Sequence, residues 1–165
     1  PLGHHTLDST HIAFGVATAA IGREKWEVEG SVFNGREPDE HRWDFDFGRL
    51  DSLAGRLWFR PSREWEFQVS TGHLVDPEEL EPGELQRTTA SVSWLGRVTD
   101  KDFSAMTAGF GVNAAHGVVR HAVFGEYTRQ LASTALSARA ELVETEAWSG
   151  NGHTWSAEAG LLTVC

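Results

Sequence analysis

The chain is expected to be an all-β protein: an antiparallel up-and-down transmembrane β-barrel, or a partial barrel of about eight or nine strands. Three observations predict it. Large apolar residues fall at every second position and charged ones between them, as in Lys25-Trp26-Glu27-Val28-Glu29 and Glu64-Trp65-Glu66-Phe67-Gln68-Val69-Ser70. A strand turns successive side chains to opposite faces, so each segment has one apolar and one charged face. The apolar face carries no charge in mid-strand, where an Arg or Lys in lipid costs roughly 2–4 kcal/mol. The connections alternate between short turns and long polar loops, as turns and loops do on the two sides of an outer membrane.

The elements follow in order. His11 to Ala19 alternates as a first strand. After a turn at Gly22, Lys25 to Phe33 is the second, with Trp26, Val28 and Val32 opposite Glu27, Glu29 and Ser31. A polar stretch from Asn34-Gly35 leads to Trp43 to Phe59, where one parity persists either as a single long strand or with a break near Gly48. Pro61-Ser62-Arg63 turns into Glu64 to Thr71, and a Pro- and Glu-rich connection, in which Glu78 to Leu85 has room for one helical turn, leads to Arg87 to Leu95. Phe103 to Val112, Val118 to Thr128, Ala135 to Thr145 and Thr154 to Val164 complete the set. The connection near Asn113 to Gly117 is short where a long one is expected. His121 is the one discordant residue, lying on the otherwise apolar side of its strand.

The chain has 165 residues and a net charge of −10, which argues against nucleic acid and anionic headgroups as partners. Seven Trp suit an interfacial girdle, here Trp26, Phe59, Trp65, Phe67 and Trp94. The single Cys, Cys165, allows no internal disulfide and no CxxC motif. No apolar run is long enough for a transmembrane helix. The ends enter and leave mid-pattern, so the chain is expected to be one barrel section, residues 1–165, of a longer protein. Alternation alone fits a soluble sandwich or lipocalin-like barrel equally well.

Candidate chemistry is sparse. Glu27, Glu29, Arg56, Glu66, Arg120, Glu126, Arg139 and Glu141 each lie on the charged face of their own strand and are expected to line a wet lumen as a charge ladder, with Arg60 beside them. His4, His5, Asp8 and His11 have metal-ligand chemistry, but an extended chain holds His5 and His11 up to about 20 Å apart, so no metal is expected. Ser9 with His11, or Ser70 with His73, lack a nucleophile-elbow context, so no catalytic residues are expected. The carboxylates of Glu27/Glu29 and Glu64/Glu66, about 7 Å apart at i, i+2, read as solvated lumen charges.

Five stretches carry a resemblance: Gly3-His4-His5-Thr6-Leu7-Asp8-Ser9-Thr10-His11-Ile12, Phe33-Asn34-Gly35-Arg36-Glu37-Pro38-Asp39-Glu40, Asp51-Ser52 with Arg56-Leu57, Pro77-Glu78-Glu79-Leu80, and Arg87-Thr88-Thr89-Ala90-Ser91. With them the chain resembles uncharacterised, porin-like outer-membrane β-barrel proteins of Gram-negative bacteria, in the C-terminal section of the barrel. The likeness covers roughly residues 1–112 well and the rest more loosely. It implies an outer-membrane location and membrane lipids as partners. It carries no catalytic residue to transfer. The chain departs from the family's habit of ending in Phe or Tyr, since Cys165 stands last. The expected role is porin-like or structural, non-enzymatic, without cofactor, with a small solute possible in the lumen. The alternative is a soluble or periplasmic β-barrel that binds a small apolar ligand.

Overall fold

A computed structural model describes residues 4–7, 15–36, 48–77, 83–96, 98–99, 102–146 and 153–164, with backbone alone for 4–5, 145–146 and 153–164. After a four-residue helical turn, α1 (His4–Leu7), come β1 (Val16–Arg23), β2 (Trp26–Phe33), β3 (Ser52–Phe59), β4 (Trp65–Val75), β5 (Glu84–Gly96), β6 (Asp102–Ala115), β7 (Val118–Leu131), β8 (Thr134–Glu146) and β9 (His153–Val164). The nine strands form one antiparallel sheet in sequence order, β1 to β9, each paired with its neighbour. The sheet is open, with no pairing between β1 and β9 among the described residues, in keeping with a partial barrel.

The cross-strand register gathers the alternating residues into rows. Val28, Leu57, Val69, Ala90, Phe110, Val123 and Leu142 stand opposite one another across seven strands. The neighbouring row on the other face is Glu27, Trp58, Gln68, Ser91, Gly109, Phe124 and Glu141. Because the side-chain period is two, a slip by one residue anywhere would mix these sets. The register preserves them from β2 to β8.

The sheet is curled toward its polar face. A flat sheet would hold β1 and β6 about 24 Å apart, five inter-strand spacings. Leu7 of α1 nevertheless lines a cavity with Val16 and Thr18 of β1, and its side chain also reaches β6 at Gly111. Gly111 makes that approach possible, since a Cβ there would stand 2.7 Å from the Thr6 carbonyl oxygen. Curling makes the polar face the inner one. Phe33, Leu74, Ala122 and Val143, the buried apolar side chains, all lie on it. The row opposite is open: Val28 is 51% exposed, Val69 52%, Phe110 45% and Leu142 47%.

The pairs β1–β2, β3–β4, β5–β6 and β7–β8 are joined at one end of the sheet, across 24–25, 60–64, 97–101 and 132–133, and β2–β3, β4–β5, β6–β7 and β8–β9 at the other, across 34–51, 76–83, 116–117 and 147–152. The second set includes the longest. Its exception, 116–117, is a two-residue turn in which His116 (φ 51°) and Gly117 (φ 79°) both take positive φ, the geometry that matches strand twist in a tight hairpin.

One open alternative is decided and two expectations change. For Trp43 to Phe59 the break near Gly48 holds: β3 begins at Ser52, Gly48 to Leu50 run outside the sheet, and 43–47 lie outside the described residues. Gly48 packs on Asn34, whose side-chain nitrogen would stand 2.5 Å from any Cβ at that glycine, so the chain crosses there rather than pairs. Glu84 and Leu85 belong to β5, while the rest of the expected helical turn lies mostly outside the described residues. The first strand runs on to Arg23, past the expected end at Ala19, and its earlier part, 11–14, lies outside the described residues.

Candidate functional site: the polar inner face

The register puts all eight expected ladder residues, Glu27, Glu29, Arg56, Glu66, Arg120, Glu126, Arg139 and Glu141, on the inner face. They form discrete clusters. Near the short turns, Arg60 donates through Nε to Glu66 (2.6 Å) and through Nη1 to Glu27 (3.1 Å), joining β2 and β4. The Glu66 bond first, then Glu27, holds the Arg60 guanidinium above its ordinary pKa against the opposing effect of partial burial. Arg56 and Arg60 flank the Trp58 ring, at 5.4 Å and 4.9 Å from its centroid. Such stacking leaves the in-plane N–H groups free to donate.

On β7 and β8, Glu126 and Arg139 are directly opposed and bonded at 2.7 Å. Arg139 also donates to Glu141, which is only 3% exposed, and lies over Phe124. Arg87, itself buried, donates to Asn113 at 2.8 Å, and Arg120 follows in the same row. Hydroxyl pairs fill the spaces: Ser70 with Thr89 (2.7 Å), Thr18 with Ser31 (2.8 Å) and Thr128 with Ser137 (2.9 Å). Glu126, Arg139 and Glu141 thus form one paired cluster, as a confined polar space requires.

At the long-connection end, a second polar knot ties the loop roots. Arg36 donates twice to Asp51, at 3.1 Å and 2.8 Å, and stands 3.6 Å from Asp76. The Arg36 hydrogen bonds hold the Asp51 carboxyl below its ordinary range, and Asp51 in turn raises Arg36. Fully buried Ser52 accepts from the Val75 backbone, and Asp76 accepts from Gly83 N, closing the neck of the 76–83 connection. This knot was not foreseen. Its signal was the polar run Asn34-Gly35-Arg36 with Asp51-Ser52, but nothing local links its halves.

The five expected girdle residues share the opposite face and form a continuous belt near the short turns. Trp26 stacks on Phe59 at 4.2 Å, Phe59 meets Phe67 at 6.1 Å, Phe67 meets Trp65 at 6.1 Å, and Trp65 meets Trp94 at 6.4 Å. Among the described residues, this outer face carries acidic and basic groups only near its margins: Arg23, Asp102 and Arg129 toward the short turns, Glu84 and Glu144 toward the other end. His121 is reconciled there. Its ring bonds Glu144 at 2.7 Å, Glu144 also accepts the His121 backbone N–H, and the ring stacks on Phe110.

The other candidates do not assemble. Ser70 faces inward toward Thr89, whereas His73, three residues on, faces outward 3.9 Å from Glu84. Glu64 lies in the turn before β4, and Glu27 and Glu29 are each held by an arginine. Asp8, Ser9 and His11 and the side chains of His4 and His5 lie outside what is described; among the described residues no three potential ligands gather around a metal position.

Comparison with protein-family models, with curated proteins and with solved structures found no match. The chemistry the chain can offer lies on its two faces. The inner one offers paired charges, hydroxyls and a cavity of about 420 Å³ bounded by α1 and β1–β5. The outer one offers an exposed apolar band with an aromatic margin.

Proposed function

We propose that the sheet is a section of an outer-membrane β-barrel wall with a porin-like or structural role and no enzymatic activity. Its outer face meets hydrocarbon and its inner face meets enclosed solvent. One observation carries the reading: the row Val28, Leu57, Val69, Phe110, Val123 and Leu142 is exposed on six strands, between 39% and 52%, with Ala90 of β5 half-buried among them. Contiguous apolar patches of this extent mark membrane or partner contacts rather than water-facing surface. The aromatic belt on one margin is what a membrane interface attracts, because its rings have an apolar body and polarisable edges. A soluble barrel holding an apolar ligand needs these side chains inside, and they lie on the face turned away from α1 and the cavity.

Nitroxide accessibility tests the proposal directly. Single cysteines at 67, 68, 69 and 70, in a Cys165→Ser background folded into phosphatidylcholine vesicles, carry the label. Positions 67 and 69 are expected to favour collision with oxygen, and 68 and 70 with a water-soluble nickel chelate. A uniform response along the four positions, or folding without detergent or lipid, refutes it.

A further inference from the structure

The inner-face ion pairs are not equivalent. Arg60 and Arg139 are each saturated by two carboxylates, with bonds from 3.1 Å down. Arg56 and Glu29, directly opposed across β2 and β3, stand 3.6 Å apart, beyond hydrogen-bond length. This is also the pair that lines the cavity. Arg56 has one face against Trp58, and its side chain remains 44% exposed.

The rest of the cavity wall is sorted by polarity. Leu7, Val16, Phe33 and Leu74 supply an apolar wall, the last two buried. Ser70 and Thr89 supply hydroxyls, bonded to each other yet retaining acceptor lone pairs, and buried Arg87, which donates to Asn113 at 2.8 Å, supplies a second cationic group. A volume of about 420 Å³ falls in the range of small-molecule sites.

We propose that this cavity binds a small zwitterion with an apolar side chain, of the α-amino-acid class. A lone anion would meet Glu29 as well as the two arginines, and a lone cation would meet Arg56 and Arg87 as well as Glu29. A ligand with ammonium and carboxylate on one carbon satisfies both residues, its carboxylate taking the in-plane donors of Arg56 and its ammonium the Glu29 oxygens. Opening the existing pair sacrifices little, because a loose, partly exposed pair contributes little to stability. The side chain then lies against Leu7, Phe33 and Leu74. The inference rests on reading the inner face as the solvent side.

Isothermal titration of the detergent-folded chain with L-leucine tests it, alongside N-acetyl-leucine (no ammonium), leucine amide (no carboxylate) and glycine (no side chain). Leucine is expected to bind, with each of the other three at least tenfold weaker. Glu29→Gln and Arg56→Gln are each expected to weaken leucine at least tenfold. Glu29→Asp and Arg56→Lys keep the charges and the fold while changing their reach, and are expected to weaken it several-fold. Equal binding of the four probes, no binding of leucine, or unchanged affinity in the charge-preserving variants overturns the proposal. Heat-modified gel mobility of the unaltered chain reports the barrel reading separately: a chain that keeps it and ignores leucine overturns this inference alone.

Discussion

Val69 lies at the centre of β4's outer face, 52% exposed, with Leu57 and Ala90 opposite it on either side. Replacing it with arginine separates hydrocarbon from water as its surroundings. At the bilayer midplane of a barrel, an outward arginine costs about 2–4 kcal/mol, roughly a 30- to 700-fold drop in the folded-to-unfolded ratio. In water an exposed valine can be replaced within about 0.5 kcal/mol. His73 is the internal control. It shares the same strand and face four residues on, about 13 Å along the strand and near the long-connection end. His73→Arg is expected to change stability by about 0–1 kcal/mol, because side chains near the interface reach water. Urea titration in phosphatidylcholine vesicles, read by heat-modified gel mobility, measures both. A Val69→Arg loss below about 0.5 kcal/mol, or equal losses at the two positions, refutes the reasoning, since only a hydrocarbon slab makes the penalty depend on depth.

Two further outcomes follow from the paired charges. Arg139→Gln is expected to cost about 1.5–3 kcal/mol, because it takes the guanidinium from the 3%-exposed Glu141, whereas Glu126→Gln, at the exposed side of the same arginine, costs under about 1 kcal/mol; the same urea titration measures both, and equal losses contradict the clustering. Asp51 has its folded pKa depressed by Arg36, so its contribution is complete above its ordinary pKa of 3.8 and disappears as pH falls through the lower folded value. Both side chains are about one-third exposed, which limits the effect to about 1 kcal/mol. Asp51→Asn should therefore abolish the acid-dependent part of proteolytic protection in the 34–51 connection; an unchanged pH profile contradicts it.

Alternation made the strands legible, because the register keeps one parity apolar from Trp26 to Leu142 and the other polar. It also placed the eight ladder residues and five belt residues on their faces. What it left hidden has physical reasons. The Glu126–Arg139 contact follows from the two-residue turn at 132–133, a local feature, but Arg60 meeting Glu27 needs the β2–β3 register, which is set across the long connection 34–51. Parity in the Trp43-to-Phe59 run could not choose between one strand and a break near Gly48, because it persists through Gly48 to Leu50, which run outside the sheet. α1 is a single turn, too short to display a 3.6-residue period. Trp58 and Arg87 lie on the inner face by parity alone, yet their roles depend on neighbours from other strands.

The count of strands has a consequence for closure. Among the described residues the meander has nine strands, so the first and last point the same way. Bringing β9 directly to β1 would create one seam of slanted, evenly spaced bonds in a wall whose every other junction has perpendicular, paired ones. An odd number of additional strands between these two rims would restore alternation throughout, yielding an even-stranded cylinder in which every backbone amide at the rims finds a partner.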